Sequence, residues 1–272
     1  MLPINFHKTF IPERNLISAL LQYTARGGEG DYQEISADTG IPMGKVNGKV
    51  PAIMDYARGM GLIEVENLAQ SKKRPRLTDF GRVVFMEDGT LGEKIVQWLL
   101  HLNLCRSDIG SLVWHQTFAQ SRRSLGSSFS KEQLETYLCE CFGEGRNRTG
   151  PLLLAYGDDA ALKRCGAISL DGETVIRRKA PLLDDFALPY SALFLELMEQ
   201  FCPNQNQVTI NDFQAVTMIF DICLWNEADI ERGLNMIEKR GYLMVDRQMH
   251  PWILEKRAAA VHVWDRIFDY LT

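Results

Sequence analysis

The stretch Leu62-Ile63-Glu64-Val65-Glu66-Asn67-Leu68-Ala69-Gln70-Ser71-Lys72-Lys73-Arg74-Pro75-Arg76-Leu77-Thr78 decides how the first part of this chain folds. Residues 62–66 alternate between apolar and acidic, the period of a strand with one buried face. Residues 68–75 read as a polar, basic loop, and Arg76-Leu77-Thr78 as the returning strand. Thr78 then opens a helix through Asp79-Phe80-Gly81-Arg82, because a threonine hydroxyl at that place accepts an unpaired N–H of the first turn.

Upstream, three helices are expected. Leu16, Ile17, Leu20 and Leu21 recur at helical spacing, and the Arg26-Gly27-Gly28-Glu29-Gly30 loop ends that segment. Asp31 to Ile41 is a short helix closed by Gly40, a residue suited to the left-handed turn at a helix end. A basic turn over Met43 to Lys49 leads into a helix starting near Pro51, with Ile53, Met54, Ala57 and Met60 facing inward and Gly61 stopping it. Three helices followed by strand, basic loop and strand are the order of a winged helix-turn-helix, assigned to residues 1–90.

Residues 91–185 read as a helical middle region, with Ile95, Trp98, Leu99 and Leu102 on one face and Leu112, Trp114 and Phe118 on another. Ser130 starts a further helix, and Asp171-Gly172 between alternating apolar residues marks a hairpin near 167–178. Residues 186–272 repeat a winged-helix-like pattern. Helices over Leu188 to Phe201 and from Thr209 precede a third capped by Asn226, then a hairpin formed by residues 242–245 and 252–254. A last helix is expected over Ala258 to Leu271. The fold class is therefore mainly α with small β-hairpins: an N-terminal winged helix-turn-helix, a helical middle region and a second winged-helix-like C-terminal unit.

The bulk charge narrows the functional classes. With 30 Lys+Arg against 35 Asp+Glu, the 272-residue chain carries a formal charge of −5, unlike a histone-like protein that coats nucleic acid. Any DNA contact must come from a local patch. The opening Met1-Leu2-Pro3-Ile4-Asn5-Phe6 lacks the basic start and apolar run of a signal peptide, and no stretch reaches the roughly 18 apolar residues of a membrane span. A cytoplasmic protein with no membrane partner is expected. Cys105, Cys139, Cys141, Cys165, Cys202 and Cys223 sit among apolar residues and read as reduced packing residues.

The patch lies between Lys45 and Arg82. Lys45, Lys49, Arg58, Lys72, Lys73, Arg74, Arg76 and Arg82 face only Asp55, Glu64, Glu66 and Asp79. Lys45 and Lys49 flank the start of the recognition helix, where free N–H groups and the helix dipole favour phosphate. Lys72, Lys73, Arg74 and Arg76 occupy the wing, suited to phosphate contacts that carry little sequence information. The candidate nucleic-acid-binding set is Lys45, Lys49, Arg58, Lys72, Lys73, Arg74 and Arg76; a solvated wing on a protein-interaction module is the alternative. Arg122-Arg123 and Arg177-Arg178-Lys179 would either extend a DNA track or form solvated edges. From Phe186 onward acidic residues outnumber basic ones, and Glu227 and Glu231 on the third helix are assigned to a protein partner. No catalytic motif, metal-ligand spacing or cofactor loop is present. Asp158-Asp159 and Asp184-Asp185 are adjacent carboxylates, which rarely converge on one metal.

His7-Lys8-Thr9-Phe10 with Pro12 and Arg14 resembles the N-terminal His-x-Thr-Phe…Arg signature of a bacterial family found in phage-defence gene clusters beside DNA phosphorothioation genes. Leu77-Thr78-Asp79-Phe80-Gly81, Trp98-Leu99-Leu100-His101-Leu102, Trp114 with Phe118, and Phe129-Ser130-Lys131-Glu132-Gln133-Leu134 extend the similarity over residues 6 to 200. Lys8 stands where the family pattern has an acidic residue. The resemblance implies a defence-associated, DNA-binding accessory protein and supplies no catalytic residues. The expected function is a non-enzymatic subunit that positions a DNA-modification or phage-defence complex on duplex DNA. The alternatives are an interaction scaffold, a transcriptional regulator of the same cluster, and a nuclease whose scattered carboxylates converge in the fold. Oligomeric state is left open.

Overall fold

The computed structural model describes residues 1–44, 48–145 and 148–269, and the chain divides into two compact units, Met1–Arg178 and Lys179–Thr272. Helices dominate, and the strands described form three small antiparallel sheets.

The first unit opens with helices α1 (Arg14–Ala25), α2 (Tyr32–Thr39) and α3 (Lys49–Gly59). Asp31 accepts from Gln33 N–H and Glu34 N–H, Glu34 returns to the Asp31 N–H, and Gly40 closes α2 at φ 72°. Helix α3 starts at Lys49, two residues before Pro51, so the proline falls in the first turn, where its missing N–H has no helical partner to lose. Strands β1 (Ile63–Asn67) and β2 (Lys73–Leu77) pair with Glu66 opposite Arg74 and Asn67 opposite Lys73. The basic loop is thus shorter than expected. Lys73 exchanges both backbone hydrogen bonds with Gly30, which draws residues 73–75 into the strand.

Thr78 caps α4 (Asp79–Glu87) by accepting the Gly81 N–H at 2.8 Å. The unit continues through α5 (Lys94–Leu104), α6 (Leu112–His115), a π-helical turn at Gln116–Gln120 and α7 (Arg122–Leu125). Strand β3 (Ser128–Ser130) precedes α8 (Lys131–Phe142) and α9 (Thr149–Gly157), and β4 (Ile168–Asp171) and β5 (Thr174–Arg177) end the unit. The hairpin forms at the expected place, but Asp171 ends β4 opposite Thr174 and the turn falls on Gly172-Glu173, with Gly172 at φ 58°, while β3 adds a third strand in the order β3-β5-β4. A three-residue strand has too short a pattern to stand out in sequence.

Ile35, Val50, Ile53 and Leu62 are wholly buried and Met54 nearly so. Around α3 the burial goes further. Pro51, Ala52, Tyr56, Ala57 and Gly59 are buried too, leaving Lys49 and Asp55 half-exposed and Arg58 exposed. The N-terminal arm supplies much of the cover. Phe6 meets Tyr56 edge-on at 4.8 Å, and a Cβ on Gly59 would lie 2.5 Å from Leu2 Cδ1. His7 locks the arm's turn by accepting the Thr9 N–H on Nδ1 at 3.0 Å, and the Tyr56 hydroxyl donates to Phe10 O at 3.0 Å. Arg14 donates to the carbonyls of Thr90, Leu91 and Asp159. The residues of the His7…Arg14 signature therefore fasten the arm to helices and loops of the first unit.

The second unit contains α10 (Ala187–Phe201), β6 (Gln207–Thr209), α11 (Ile210–Thr217), α12 (Ile219–Ile222), α13 (Glu227–Glu238), β7 (Leu243–Asp246), β8 (Ile253–Lys256) and α14 (Ala260–Trp264). Asn226 and Asp229 form the capping box of α13, and Thr209 caps α11. The sheet order β6-β8-β7 adds a short strand to the expected hairpin. Helix α14 is shorter than expected; after Trp264 a turn follows in which Arg266 Nε donates to Asp269 at 2.8 Å. The core is aromatic, with Phe194, Phe213, Phe220, Trp225 and Trp264 all buried. Of the cysteines, Cys105, Cys165 and Cys223 are buried, Cys139 and Cys202 are half-buried and Cys141 is exposed, so packing does not account for all six.

Candidate nucleic-acid and partner interfaces

The first candidate surface surrounds the start of α2. Gln33 Nε2 donates to Gly44 O at 3.3 Å, which ties α2 to the turn before α3, and Glu34 lies 3.5 Å from the Lys72 ammonium. Along β2 the side chains alternate. Pro75 faces the interior and pairs in register with Val65, while Arg74 and Arg76 point outward. The hairpin therefore gathers Lys72, Arg74 and Arg76 at the surface, as the sequence reading expects. Lys45 lies outside the described residues.

These cations are not bare. Arg74 donates through Nε to Glu29 at 2.8 Å and again through Nη2, and it lies 3.5 Å from Glu66. That pairing with Glu29 and Glu66 raises its pKa further, although the group is open to solvent. Arg76 reaches the same Glu66 at 3.2 Å, and Lys73 Nζ donates to Asn67 Oδ1 at 2.5 Å. Glu29 and Glu34 precede Lys45, so a charge count over 45–82 misses them. Two members of the set point elsewhere. Lys49 pairs with Glu13 and sits 5.6 Å over the Phe10 ring, and Arg58 pairs with Asp55 on its own helix at 3.2 Å. The clusters weighed as extensions of a DNA track also divide. Arg177 is buried, with its guanidinium donating to Phe118 O at 2.7 Å and lying over the Phe118 ring, and Lys179 is held by Asp229 at 2.5 Å. Arg123 and Arg178 are exposed.

The second candidate surface is a cleft of about 820 Å³ in the second unit. Ile210, Gln214, Phe220, Ile230, His250 and Trp252 line it together with Glu227 and Glu231. The sequence reading picked out those two carboxylates from charge alone. It missed Trp252, whose position depends on how the β7–β8 loop folds back; Arg247 lies over its ring at 5.4 Å.

Among the described residues no group of three His, Cys, Asp or Glu side chains is placed to hold a metal ion. Asp158 accepts the Ala160 N–H and Asp159 pairs with Lys163, so both serve local turns. Among the described residues no helix is long and apolar enough to cross a membrane.

No protein-family model and no curated protein matches the chain. Two crystal structures do. The chain shares its fold with SspB. The magnesium-bound SspB structure superposes with a TM-score of 0.65 at 15% identity, covering 98% of this chain and 87% of SspB. A second SspB structure gives the same TM-score and coverage at 16% identity.

Proposed function

We propose that residues 1–90 act as a winged helix touching duplex DNA through its phosphates, and that the chain is an accessory subunit of a bacterial DNA-modification or phage-defence complex. The chemistry would lie in partner proteins. The observation that carries the reading is the outward display of Lys72, Arg74 and Arg76 on one hairpin beside the turn at Gly44. The burial of α3 sets the mode of contact. A helix that reads bases needs an open face in the major groove, and α3 offers Arg58 and little else. Backbone contact with low sequence preference follows. The accessory role draws support from the shared fold with SspB and from the His7…Arg14 signature. A cytoplasmic location goes with this reading.

Salt titration of duplex binding tests it, comparing the parent with the Lys72→Ala/Lys73→Ala/Arg74→Ala/Arg76→Ala variant. Each phosphate contact contributes about −0.9 to the slope of log affinity against log salt. A carboxylate freed when its arginine turns to phosphate takes up a solution cation, which offsets part of that release. The variant slope is expected to be shallower by roughly 1 to 4 units. Parental affinity and slope in the variant would sink the proposal.

One observation favours a second reading, a magnesium-dependent nuclease: the magnesium ion in SspB. Incubation of supercoiled plasmid with the purified chain and magnesium distinguishes the two. Nicking that disappears in Asp158→Asn/Asp159→Asn would replace the accessory reading with an enzymatic one.

A further inference from the structure

Helix α13 carries four acidic side chains, and the fold uses only two. Asp229 pairs with Lys179 and completes the helix cap, and Glu238 accepts from Arg247 at 2.7 Å and from the Val245 N–H at 2.9 Å. Among the described residues Glu227 and Glu231 have neither an ion pair nor a side-chain hydrogen bond. They are exposed, four residues apart on one helical face, where like charges repel. The dipole at the helix start offsets this for Glu227 in the first turn, but its effect fades before Glu231. Both carboxylates border the 820 Å³ cleft, whose other walls include Ile210, Phe220, Ile230 and Trp252. Trp252 and Ile230 are half-exposed, so apolar surface and unpaired negative charge meet at one rim.

We infer that this cleft docks a segment of another protein in which a lysine or arginine stands beside a bulky apolar side chain. The cation would pair with Glu227 and Glu231, and the apolar neighbour would pack on Trp252 and Ile230. Tryptophan is a frequent anchor of protein contacts, and charges around such an anchor select the partner. Phosphate is repelled by the same carboxylates, which separates this surface from the basic hairpin. The inference rests on the accessory reading only in requiring a protein partner; DNA binding by the first unit can fail without affecting it.

The test uses the full chain labelled with 5-fluorotryptophan, which gives one ¹⁹F signal for each of the 5 tryptophans. Trp252→Phe identifies the Trp252 signal. The probe is a fluorescein-labelled nine-residue peptide of alternating arginine and leucine, with a glutamate–leucine peptide as control. The arginine peptide is expected to bind and to move the Trp252 signal, while the control does neither. Glu227→Lys/Glu231→Lys is expected to weaken binding roughly tenfold, the sum of two exposed ion pairs. Unchanged signals from buried Trp98, Trp114, Trp225 and Trp264 show that this variant is folded. The inference is overturned by absent binding, by equal binding to the charge-reversed variant, or by binding that leaves Trp252 unmoved. A Trp252 signal that moves with protein concentration alone, or on adding duplex DNA, overturns it as well, by assigning the cleft to a second copy or to nucleic acid.

Discussion

The hairpin of the first unit and helix α13 of the second carry opposite charges, and the fold treats those charges in opposite ways. The β1–β2 hairpin packs four cations into residues 72–76, yet Glu29, Glu34 and Glu66 stand against Lys72, Arg74 and Arg76. Helix α13 is acidic, yet Glu227 and Glu231 face solvent and, among the described residues, form no ion pair. Charge along the sequence is therefore a poor measure of charge available to a ligand. To hold phosphate the hairpin would have to loosen internal pairs, whereas a cation reaching the cleft would meet carboxylates that have no such pairs to break. Exposed pairs contribute only about 0–1 kcal/mol each, so in the proposed DNA contact the hairpin pairs would attenuate binding without abolishing it.

The two units also differ in how their glycines are confined, and this gives the largest expected effect. A Cβ on Gly81 would stand 1.8 Å from the carbonyl oxygen of Leu62, which is backbone and cannot swing aside. On Gly233 it would stand 2.6 Å from the Trp225 ring, a side chain with some freedom to shift. Gly81→Ala is expected to destabilise its unit by about 3 kcal/mol or more, and Gly233→Ala by about 1–2 kcal/mol, since alanine also favours the helix. Urea unfolding of both variants measures the gap. Equal costs would mean that α4 can slide off Leu62.

Acid sharpens the comparison further. In the first unit His101 is buried, and desolvation together with the Arg177 charge lowers its pKa to about 3; burial lowers that of His7 to about 4. Neutral His101 accepts on Nδ1 from the Tyr156 hydroxyl at 2.6 Å, and that hydroxyl accepts from Trp114 Nε1 at 3.0 Å. The unfolded chain takes up a proton near pH 6.5 and the folded chain does not. Stability is therefore full above that pH and falls as pH drops from 6.5 towards 3–4. At pH 4.5 His101 alone accounts for about 2–3 kcal/mol. In the second unit His250 and His262 are exposed. Unfolding at pH 7 and 4.5 should show the first unit weakening more, with the difference reduced in His101→Gln. Parallel weakening in the variant would locate the effect elsewhere.

The smallest effect bears most directly on the paired hairpin. Glu29→Gln/Glu66→Gln releases Arg74 and Arg76 from their carboxylates. Duplex affinity should rise by up to about tenfold, and the salt dependence should steepen by up to roughly 0.9 per freed cation. Unchanged affinity would mean that the pairs never competed with phosphate. Weaker binding would mean that the carboxylates hold the arginines in place for DNA.

Local signals were readable where one residue governs one backbone group. Thr78, Ser130, Thr209 and Asn226 each cap a helix as their chemistry requires, and Gly172 opens the two-residue turn between β4 and β5. The apolar periodicity likewise marked Ile53, Met54, Ala57 and Met60 as core. Three things depended on residues distant in sequence. Strands β3 and β6 exist because other strands offer them an edge, and three residues carry too little periodicity to reveal that. Helix α3 is amphipathic in sequence, but the arm and distant helices bury what remained of its open face, with Leu2, Phe6 and Leu104 among the residues over it. The basic hairpin meets Glu29 and Glu34 because Gly30 joins the edge of β2 at Lys73. Caps and periodicity follow from interactions within a few residues, which the sequence determines by itself. Which charges remain unpaired, and which helical face remains open, follows from contacts across tens of residues, and only the tertiary structure decides them.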